Sequence, residues 1–289
     1  DTERIKSFVD ARQPGSAVVV GGGFIGLEMV ENLVHRGVHT TLVEKLDQVM
    51  TPLDFEMATI VHQHLEENGV TLLLGNGVTA FEHQDEQIVV HTDCGRQLAC
   101  DMVILSIGVK PESRLAREAG LQMNERGAIV VNAGMQTSDP DILAVGDAVE
   151  VVDRITGMPT MTALAGPANK QARTAADNVM GRRSIFKGTI GTSIVKLFDL
   201  AIAATGCNAK TLQHRGMPYI ASFTHSGSHA SYYPGAEPVT IKLIFTPGQG
   251  RILGAQVIGK KGVDKRIDVL ATAIHGRMTV FDLEELELA

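Results

Sequence analysis

The chain has 289 residues, of which 44% are hydrophobic and 20% are charged. No stretch approaches the roughly 18 apolar residues that a membrane helix needs, and no N-terminal segment resembles a secretion signal. A net charge of −7 without a Lys/Arg cluster argues against nucleic-acid binding. Cys94, Cys100 and Cys207 are too few for a disulfide framework. We therefore expect a cytoplasmic protein that binds neither membranes nor nucleic acids.

The first part of the chain alternates between strand-like and helix-like segments. In chain order these are AVVV, a helix from Phe24 to about Arg36, HTTLVE, a helix from about Asp54 to Asn68, and VTLLL. Such alternation predicts an α/β fold, with a parallel sheet covered by helices. VTAFEH, QIVVHT and RQLAC then predict a three-stranded β-meander, which the apolar strand MVILSIG and a short helix near residues 113–119 follow.

The rest of the chain reads as two further units. The segment TSDPDILAVGDAVE predicts a buried strand that ends just before Asp147, and AGPANKQARTAADNVMG predicts a helix ended by Gly181. From residue 184, the strands TSIVKLF, PVTIKLIFT and RILGAQVIG and the helix KRIDVLATAIHG predict an α+β unit. The predicted boundaries are 1–131, 132–183 and 184–289.

The segment AVVVGGGFIGLEMVE, residues 17–31, combines a β-branched strand, a glycine turn and an apolar helix. Gly21, Gly23 and Gly26 have the spacing of a dinucleotide-binding turn. Gly21 permits the tight bend, Gly23 lets a diphosphate approach the backbone, and Gly26 lets helix and strand pack closely. The N–H groups and dipole at the helix start favour that anion. The predicted cofactor-binding residues of the turn are Gly21, Gly22, Gly23, Phe24, Ile25 and Gly26.

Glu44 stands eighteen residues after Gly26, at the end of the next predicted strand. A carboxylate at this place can accept both ribose hydroxyls of an adenosine and would repel a 2′-phosphate. The sequence therefore favours NADH over NADPH. Lys45 follows directly and can soften that repulsion, so both residues belong to the predicted cofactor site.

Two other patterns have ordinary structural interpretations. Ile25, Met29 and Leu33 are expected to be core residues of the helix. His225 and His229 have i,i+4 spacing, but their Ser/Gly-rich surroundings predict a loop. No third ligand of suitable type and spacing is evident, so we predict no metal site.

Three motifs in the same order resemble those of the flavoprotein disulfide reductase family. They are VVVGGGFIGLE, ILSIGVKP with Gly108, and TSDPDILAVGD with Gly146 and Asp147. The resemblance implies that the cofactors are FAD and NADH, with an NAD(H)-binding domain and its leading helix at 1–131, the returning part of an FAD-binding domain at 132–183, and a dimerisation domain at 184–289. It also implies that Asp147 accepts hydrogen bonds from FAD and that the helix beginning near Leu164 and Ala165 covers the flavin.

Within that family, GTSIVKLFDLAIAATG and SHASYYPGAEPVTIKLIF are similar to coenzyme A-disulfide reductases and to NADH-dependent coenzyme A-persulfide reductases. The resemblance implies a homodimer in which Tyr232 or Tyr233 reaches the substrate sulfur of the partner's site. One of the two adjacent tyrosines is expected to pack inward. Phe24 falls where an aromatic ring lies over the flavin until nicotinamide displaces it, and Glu28 falls near the nicotinamide.

The chain also departs from the family pattern. It begins at Asp1 with Ile5 and Phe8 already at helical spacing, and neither a second glycine turn nor a cysteine at the family's redox position is present. We therefore expect a fragment of a larger enzyme, inactive alone and with an incomplete dimerisation domain, whose substrate is a coenzyme A disulfide or persulfide. The alternatives are an NADH oxidase or peroxidase of the same family, and a non-catalytic module that binds NADH or mediates dimerisation.

Overall fold

A computed structural model describes residues 2–288. The first elements are α1 (Thr2–Arg12), β1 (Ser16–Val20), α2 (Phe24–His35), β2 (His39–Val43), α3 (Phe55–Glu67), β3 (Thr71–Leu73), β4 (Val78–Gln84), β5 (Gln87–Thr92), β6 (Gln97–Cys100) and β7 (Met102–Leu105). Four of these strands form a parallel sheet in the order β3-β2-β1-β7, and β4, β5 and β6 form an antiparallel meander. The predicted α/β class is confirmed.

The middle of the chain contains α4 (Arg114–Glu118), β8 (Ile129–Val130), β9 (Val149–Val152), β10 (Pro159–Thr160) and α5 (Ala165–Val179). The prediction of a buried strand before Asp147 is wrong. In the described residues this segment has only an isolated bridge between Gln136 and Leu143, and Ile142 and Val145 are exposed. An apolar segment becomes a strand only where a neighbouring strand accepts its backbone hydrogen bonds.

The last part contains β11 (Ser193–Leu197), β12 (Leu200–Gly206), α6 (Ala209–His214), β13 (Ile220–Gly227), β14 (Pro238–Phe245), β15 (Ile252–Gly259), α7 (Val263–His275) and α8 (Val280–Glu284). Five strands form an antiparallel sheet in the order β11-β12-β15-β14-β13. The central strand β15 is buried along its whole length, as expected for an apolar strand packed on both faces. The sheet and α7 confirm an α+β unit.

The loop predicted around His225 is corrected in part. His225 lies on β13, paired with Thr240 of β14, and its Nδ1 lies 3.1 Å from Thr240 Oγ1. The long ladder with β14 overrides the turn preference of the neighbouring serine and glycine residues. His229 lies beyond the end of the strand. In residues 2–288, no three His, Cys, Asp or Glu side chains come close enough together to hold a metal ion.

The buried face of α2 differs from the predicted one. Leu27, Val30 and Leu33 are buried, Met29 is half-buried, and Ile25 is 55% exposed. With about 3.6 residues per turn, Ile25 points away from the face that contains Leu27 and Val30. The assignment of Ile25 to the core was therefore wrong, and its side chain lies at the surface near the start of the helix.

One apolar core joins the first sheet to the last. It contains Val19 of β1 and Leu27 of α2 together with Leu197 of β11, Ile202 of β12 and Ile258 of β15. Removing this apolar surface from water stabilises the contact between the two parts. None of the helices in residues 2–288 combines the length and the apolar character needed to cross a membrane.

Candidate functional site

The glycine turn between β1 and α2 has a backbone shape that Gly21 alone can supply. Gly21 has φ +107°, a conformation that residues with a Cβ rarely adopt. A Cβ on Gly21 would lie 2.9 Å from the carbonyl carbon of Ser106 and closer still to its oxygen. The Ser106 hydroxyl donates to the carbonyl oxygens of Val20 and Gly21, at 2.9 Å each. The end of β7 therefore presses directly against the turn.

Gly23 and Gly26 differ in what surrounds them. Gly23 is the N-cap of α2, with no side chain capping the helix, and a Cβ there would meet nothing within 4 Å. A Cβ on Gly26 would lie 2.6 Å from Ser106 Oγ and nearer still to the carbonyl oxygen of Gly21. The helix therefore starts at an open mouth with free N–H groups, a suitable place for an anion.

The carboxylate of Glu44 already touches the glycine turn. Its Oε2 accepts from the backbone N–H of Gly22 at 2.6 Å, and its Oε1 accepts from Leu46 N–H at 2.8 Å. Each carboxylate oxygen has a further lone pair that can accept another hydrogen bond. The neighbouring Lys45 is exposed. The structure thus brings Glu44 and the glycine turn together, as a shared dinucleotide site requires.

The β2–α3 loop, residues 44–54, packs beneath the turn. A Cβ on Gly22 would lie 2.7 Å from Val49 Cγ1, and Met50 N–H donates to Gly22 O at 2.9 Å. Val49 N–H donates to Nε2 of His62 at 3.2 Å, so this imidazole nitrogen must be unprotonated. Burial lowers the pKa of His62, although Glu66 and Asp47 oppose the shift. The neutral ring thereby helps to hold the loop.

A buried polar cluster joins the end of this loop to the last part of the chain. Asp54 Oδ2 accepts from Lys242 Nζ and from Gln256 Nε2, at 2.7 Å each, and Asp54 also accepts from the backbone N–H groups of Ala209 and Lys210. Burial raises the pKa of Asp54, but the hydrogen bonds from Lys242, Ala209 and Gln256 outweigh it and lower the pKa. Asp54 and Lys242 are each 2% exposed.

Sequence reasoning missed this cluster. Lys242 stands inside the apolar strand PVTIKLIFT, and a lysine there is a usable sign of a buried pair because lysine is almost never fully buried alone. Its partners Asp54 and Glu56 are more than 180 positions away. No local pattern in one sequence connects them.

The other residues predicted at the cofactors lie on the surface of their elements. Phe24 packs partly against the core, and Glu28 is exposed one turn later. Gly108 has φ +99° with open space around it. Gly146 has φ +90°, and its N–H donates to Gln171 Oε1 of α5 at 2.8 Å. Asp147 follows it and is exposed.

Helix α5 begins without a cap. Its N-cap residue is Leu164, which offers no side-chain hydrogen bond, and the first turn contains no acidic residue. Ala165, the first helical residue, is exposed. The positive end of the helix dipole therefore has no carboxylate from its own first turn to neutralise it.

The tyrosine pair lies on the connection between β13 and β14. Tyr232 is 89% exposed and Tyr233 is 66% exposed, so the expectation that one packs inward was wrong. The Tyr233 ring meets His229 edge to face, with 5.9 Å between centroids. In residues 2–288, no hydrogen bond connects either tyrosine to the glycine turn.

The fold agrees with the comparison to protein families. A model for pyridine nucleotide-disulphide oxidoreductases matches residues 2–176, and a model for the dimerisation domain of these proteins matches residues 192–286. The chain belongs to the pyridine nucleotide-disulphide oxidoreductase family. The recognition from motifs is thereby confirmed.

Individual members of the family resemble the whole chain. Coenzyme A disulfide reductase of Staphylococcus haemolyticus is 33% identical over 290 residues, covering 100% of this chain and 64% of that protein. The structure of reduced CoADR-RHD from Bacillus anthracis has a TM-score of 0.97 at 52% identity, with 100% of this chain and 52% of that one covered. A NAD-dependent persulfide reductase from A. fulgidus has a TM-score of 0.94 at 39% identity, covering 100% and 54%. The chain thus spans between about half and two thirds of these relatives.

Two of the three cysteines, Cys100 and Cys207, are poorly suited to disulfide exchange. Cys100 and Cys207 are buried, and burial raises the pKa of both thiols, that of Cys207 to about 12. Cys94 is exposed in the turn between β5 and β6, where a hydrogen bond from Thr92 lowers its pKa. Reactive thiols are accessible and low in pKa, which excludes Cys100 and Cys207.

Proposed function

We propose that the full-length protein is an FAD-dependent NADH:disulfide oxidoreductase that reduces a coenzyme A disulfide or persulfide. The observation that carries the proposal is the open, uncapped mouth of α2 with the Glu44 carboxylate beside it. The named relatives, which match 100% of this chain, support the sulfur substrate. The protein itself supplies orientation and electrostatics.

The residues at the first turn fit NADH. The uncapped N–H groups of α2 and the space at Gly23 would hold the diphosphate. Glu44 would accept the ribose hydroxyls with its remaining lone pairs while Gly22 and Leu46 keep it in place. A 2′-phosphate at this carboxylate would meet like charge, so NADH is favoured over NADPH. Ile25, Glu28 and Lys45 would border the cofactor.

The second cofactor site would be FAD. Asp147 offers an acceptor, and the first residues of α5, Ala165 and Gly166, offer N–H groups that have no acceptor within the helix. These groups suit hydroxyls and a flavin ring edge, and Leu164, whose N–H donates to Thr162 O, would border them. Gly108 and Gly146, both with positive φ and open surroundings, would let the cofactor approach the backbone. When bound, FAD supplies the redox chemistry between NADH and the sulfur substrate.

Phe24 would exclude solvent from the space between the two cofactors. It extends from the glycine turn and is only partly packed against the core, so its ring is free to move aside when nicotinamide enters. The exchange of disulfide bonds would use a cysteine of the full-length protein outside this chain, because Cys100 and Cys207 are buried and none of the three cysteines, Cys94 included, stands at the family's redox position. Cys94 is assigned no redox role.

The tyrosines would serve a second subunit. Their exposure on the β13–β14 connection lets Tyr232 or Tyr233 project from one member of a homodimer into the site of its partner. A phenol beside a thiolate can donate a hydrogen bond or a proton. The match of residues 192–286 to a dimerisation domain supports the homodimer.

Steady-state assays of the FAD-loaded full-length protein test the proposal. Each assay supplies NADH with one acceptor: coenzyme A disulfide, a coenzyme A persulfide, hydrogen peroxide or oxygen. We expect the highest kcat/KM with one of the two sulfur acceptors. Faster turnover of peroxide or oxygen would replace the proposal with an NADH oxidase or peroxidase. A full-length protein that takes up no FAD, stays colourless and shows no turnover would favour a non-catalytic module.

The two tyrosines are tested by conservative variants. Tyr232→Phe and Tyr233→Phe each remove one hydroxyl and keep the ring. We expect one of them to lower kcat with the sulfur acceptor by about 10²-fold or more, the usual range for loss of a group that transfers a proton. Tyr219→Phe is the control, because Tyr219 is the third tyrosine and packs in an apolar cluster. Equal activity of all three variants would remove the tyrosines from the mechanism.

A further inference from the structure

A continuous series of hydrogen bonds runs from α6 of the α+β unit to the glycine turn. Lys210, the second residue of α6, donates from its Nζ to Gln48 Oε1 at 2.9 Å. Gln48 Nε2 donates to the carbonyl oxygen of Leu53 at 3.0 Å. Leu53 N–H donates to Met50 O at 2.8 Å, and Met50 N–H donates to Gly22 O at 2.9 Å. A lysine of the last unit is thereby connected to the first turn of the chain.

The buried amide of Gln48 depends on this lysine. Gln48 is 3% exposed, and in residues 2–288 Lys210 Nζ is the one donor to its Oε1. A buried polar atom that loses its partner costs free energy, because it cannot bond to water instead. Without the ammonium, the β2–α3 loop would have to shift or open to let water reach this oxygen.

The surroundings of Lys210 differ from those of a freely solvated lysine. The residue is exposed as a whole, but partial burial lowers the pKa of its ammonium, and the charges of Asp54, Asp47 and Glu56 oppose the shift. Its backbone N–H donates to Asp54 Oδ1 at 3.2 Å. The base of the side chain is therefore fixed at the end of the loop, and its tip is fixed at Gln48.

We infer that Lys210 is a positioning residue for NADH, which acts through Gln48 on the β2–α3 loop. This inference rests on the proposed function, because it takes the diphosphate to lie at the glycine turn and the ribose at Glu44. Gly22 connects these two places, since its N–H donates to Glu44 Oε2 and its carbonyl oxygen accepts from Met50. A looser loop leaves both groups more freedom, which binding must then remove. Lys210 thus strengthens NADH binding without touching the cofactor.

ADP-ribose is the probe for this effect, because it contains the diphosphate and riboses of NADH but no nicotinamide and cannot transfer hydride. In the FAD-loaded full-length protein, we expect Lys210→Met to raise the dissociation constant of ADP-ribose about three- to tenfold. Lys210→Arg keeps a charged donor and should stay within about twofold of the wild type. Lys265→Met is the matched control, because Lys265 is exposed on α7, a different helix of the same unit.

Steady-state kinetics separate positioning from a merely structural role. Lys210→Met should lower kcat/KM for NADH about three- to tenfold and leave kcat/KM for the sulfur acceptor within about twofold of the wild type. A structural defect would lower both. Thr192→Val supplies the comparison, because it breaks the 2.7 Å hydrogen bond between Thr192 and Thr205 inside the α+β unit. It should lower the unfolding temperature without changing the dissociation constant of ADP-ribose.

The route through Gln48 is tested by a double-mutant cycle. Gln48→Leu removes the amide and keeps a side chain of similar size. If Lys210 acts through Gln48, adding Lys210→Met to Gln48→Leu should weaken ADP-ribose binding by less than about twofold further. Independent effects that multiply in the double variant would overturn the route. If Gln48→Leu does not fold, the single variants at Lys210 still decide whether the lysine positions the cofactor.

The same measurements separate this inference from the proposed function. Weaker ADP-ribose binding by Lys210→Met, in a protein that reduces no sulfur acceptor, would refute the function and keep the inference. Reduction of coenzyme A disulfide by NADH, with equal ADP-ribose dissociation constants in the wild type and Lys210→Met, would keep the function and overturn the inference. Absence of ADP-ribose binding by the wild type would also overturn it.

Discussion

Alanine at Gly23 and alanine at Gly26 should have opposite consequences, although the two glycines belong to one turn. Gly23 has φ −80° and ψ −176°, a conformation open to alanine, and a Cβ would meet no atom within 4 Å. The Gly23→Ala change should therefore alter the free energy of unfolding by less than about 0.5 kcal/mol, since weaker helix capping offsets the lower chain entropy of the unfolded state. The methyl group would occupy the mouth where the diphosphate is proposed to bind.

Gly26→Ala should damage the fold before any ligand binds. The new Cβ would lie 2.6 Å from Ser106 Oγ and nearer still to the backbone carbonyl oxygen of Gly21. Because non-bonded atoms prefer roughly 3.5 Å, the helix must move by more than about 1 Å. Overpacking of this kind costs about 1–3 kcal/mol, and the better helix propensity of alanine returns about 1 kcal/mol. Because the closest contact is with backbone, we expect the upper end of this cost, a net loss of about 2 kcal/mol, and a melting temperature lower by about 4–8 °C.

Two measurements on the full-length protein test this pair. Thermal unfolding without ligand should leave Gly23→Ala near the wild type and lower the midpoint of Gly26→Ala. Titration with NADH should show at least about tenfold weaker binding by Gly23→Ala. Unchanged NADH affinity in that variant would refute the assignment of the diphosphate to the mouth of α2. An unchanged midpoint in Gly26→Ala would refute the packing argument for the third glycine.

Three further changes address the surroundings of the turn. Glu44→Gln should weaken NADH more than NADPH, measured as the ratio of the two dissociation constants, and an unchanged ratio would discredit the ribose assignment. Lys242→Met should destabilise the protein by about 3–5 kcal/mol, because it leaves the buried carboxylate of Asp54 without its charged partner. Glu56→Gln changes the half-exposed partner of Lys242 and should cost less than about 1 kcal/mol. Equal unfolding midpoints of the two variants would contradict this. The lowered pKa of His62 means that the folded state favours the neutral ring. The contribution of this ring to the free energy of unfolding is therefore complete above pH 6.5, the ordinary pKa of histidine. It is lost as the pH falls from 6.5 towards the lower pKa of the folded state. His62→Gln, which can still accept from Val49 N–H without titrating, should therefore lose less stability between pH 7 and pH 5 than the wild type, as measured by urea unfolding at each pH.

The regular elements were largely predictable because their information is local. The predicted helix from Phe24 to about Arg36 is α2, Phe24–His35, and VTAFEH, QIVVHT and RQLAC form the meander. In each case turn-forming residues flank a segment whose apolar residues repeat with the period of a helix or of a strand. The apolar pattern and the turn residues therefore predict the same element. The secondary structure of a segment can be predicted from sequence when several local preferences agree.

The errors occurred where the answer depends on a distant neighbour. ILAV before Asp147 has the composition of a strand but no ladder partner in the described residues. The segment around His225 has the composition of a loop but pairs with β14. Ile25 is as apolar as Leu27, and only the packing of α2 on the sheet decides which one is buried. Composition cannot supply these pairings.

The site likewise contains a part that local sequence predicts and a part that depends on distant residues. The glycine turn and Glu44 were predicted from spacing within 24 residues, and they are in contact. The support beneath them was not predicted: Lys210 Nζ donates to Gln48 Oε1 at 2.9 Å, and Asn208 Nδ2 donates to the carbonyl oxygens of Thr51 and Pro52, at 3.2 Å each. These contacts bridge more than 150 positions.

The β2–α3 loop is thus held from two directions, and this bears on the ribose contact proposed for Glu44. Its start is fixed to the glycine turn through Glu44 and Met50, and its end is fixed to the dimerisation part through Asp54 and Lys242. A carboxylate held at both oxygens before a ligand arrives loses little conformational freedom on binding. The preorganisation of the proposed NADH site therefore depends on contacts made by the α+β unit. A protein cut off before that unit would keep the glycine turn but lose the contacts that hold the far end of the loop carrying Glu44.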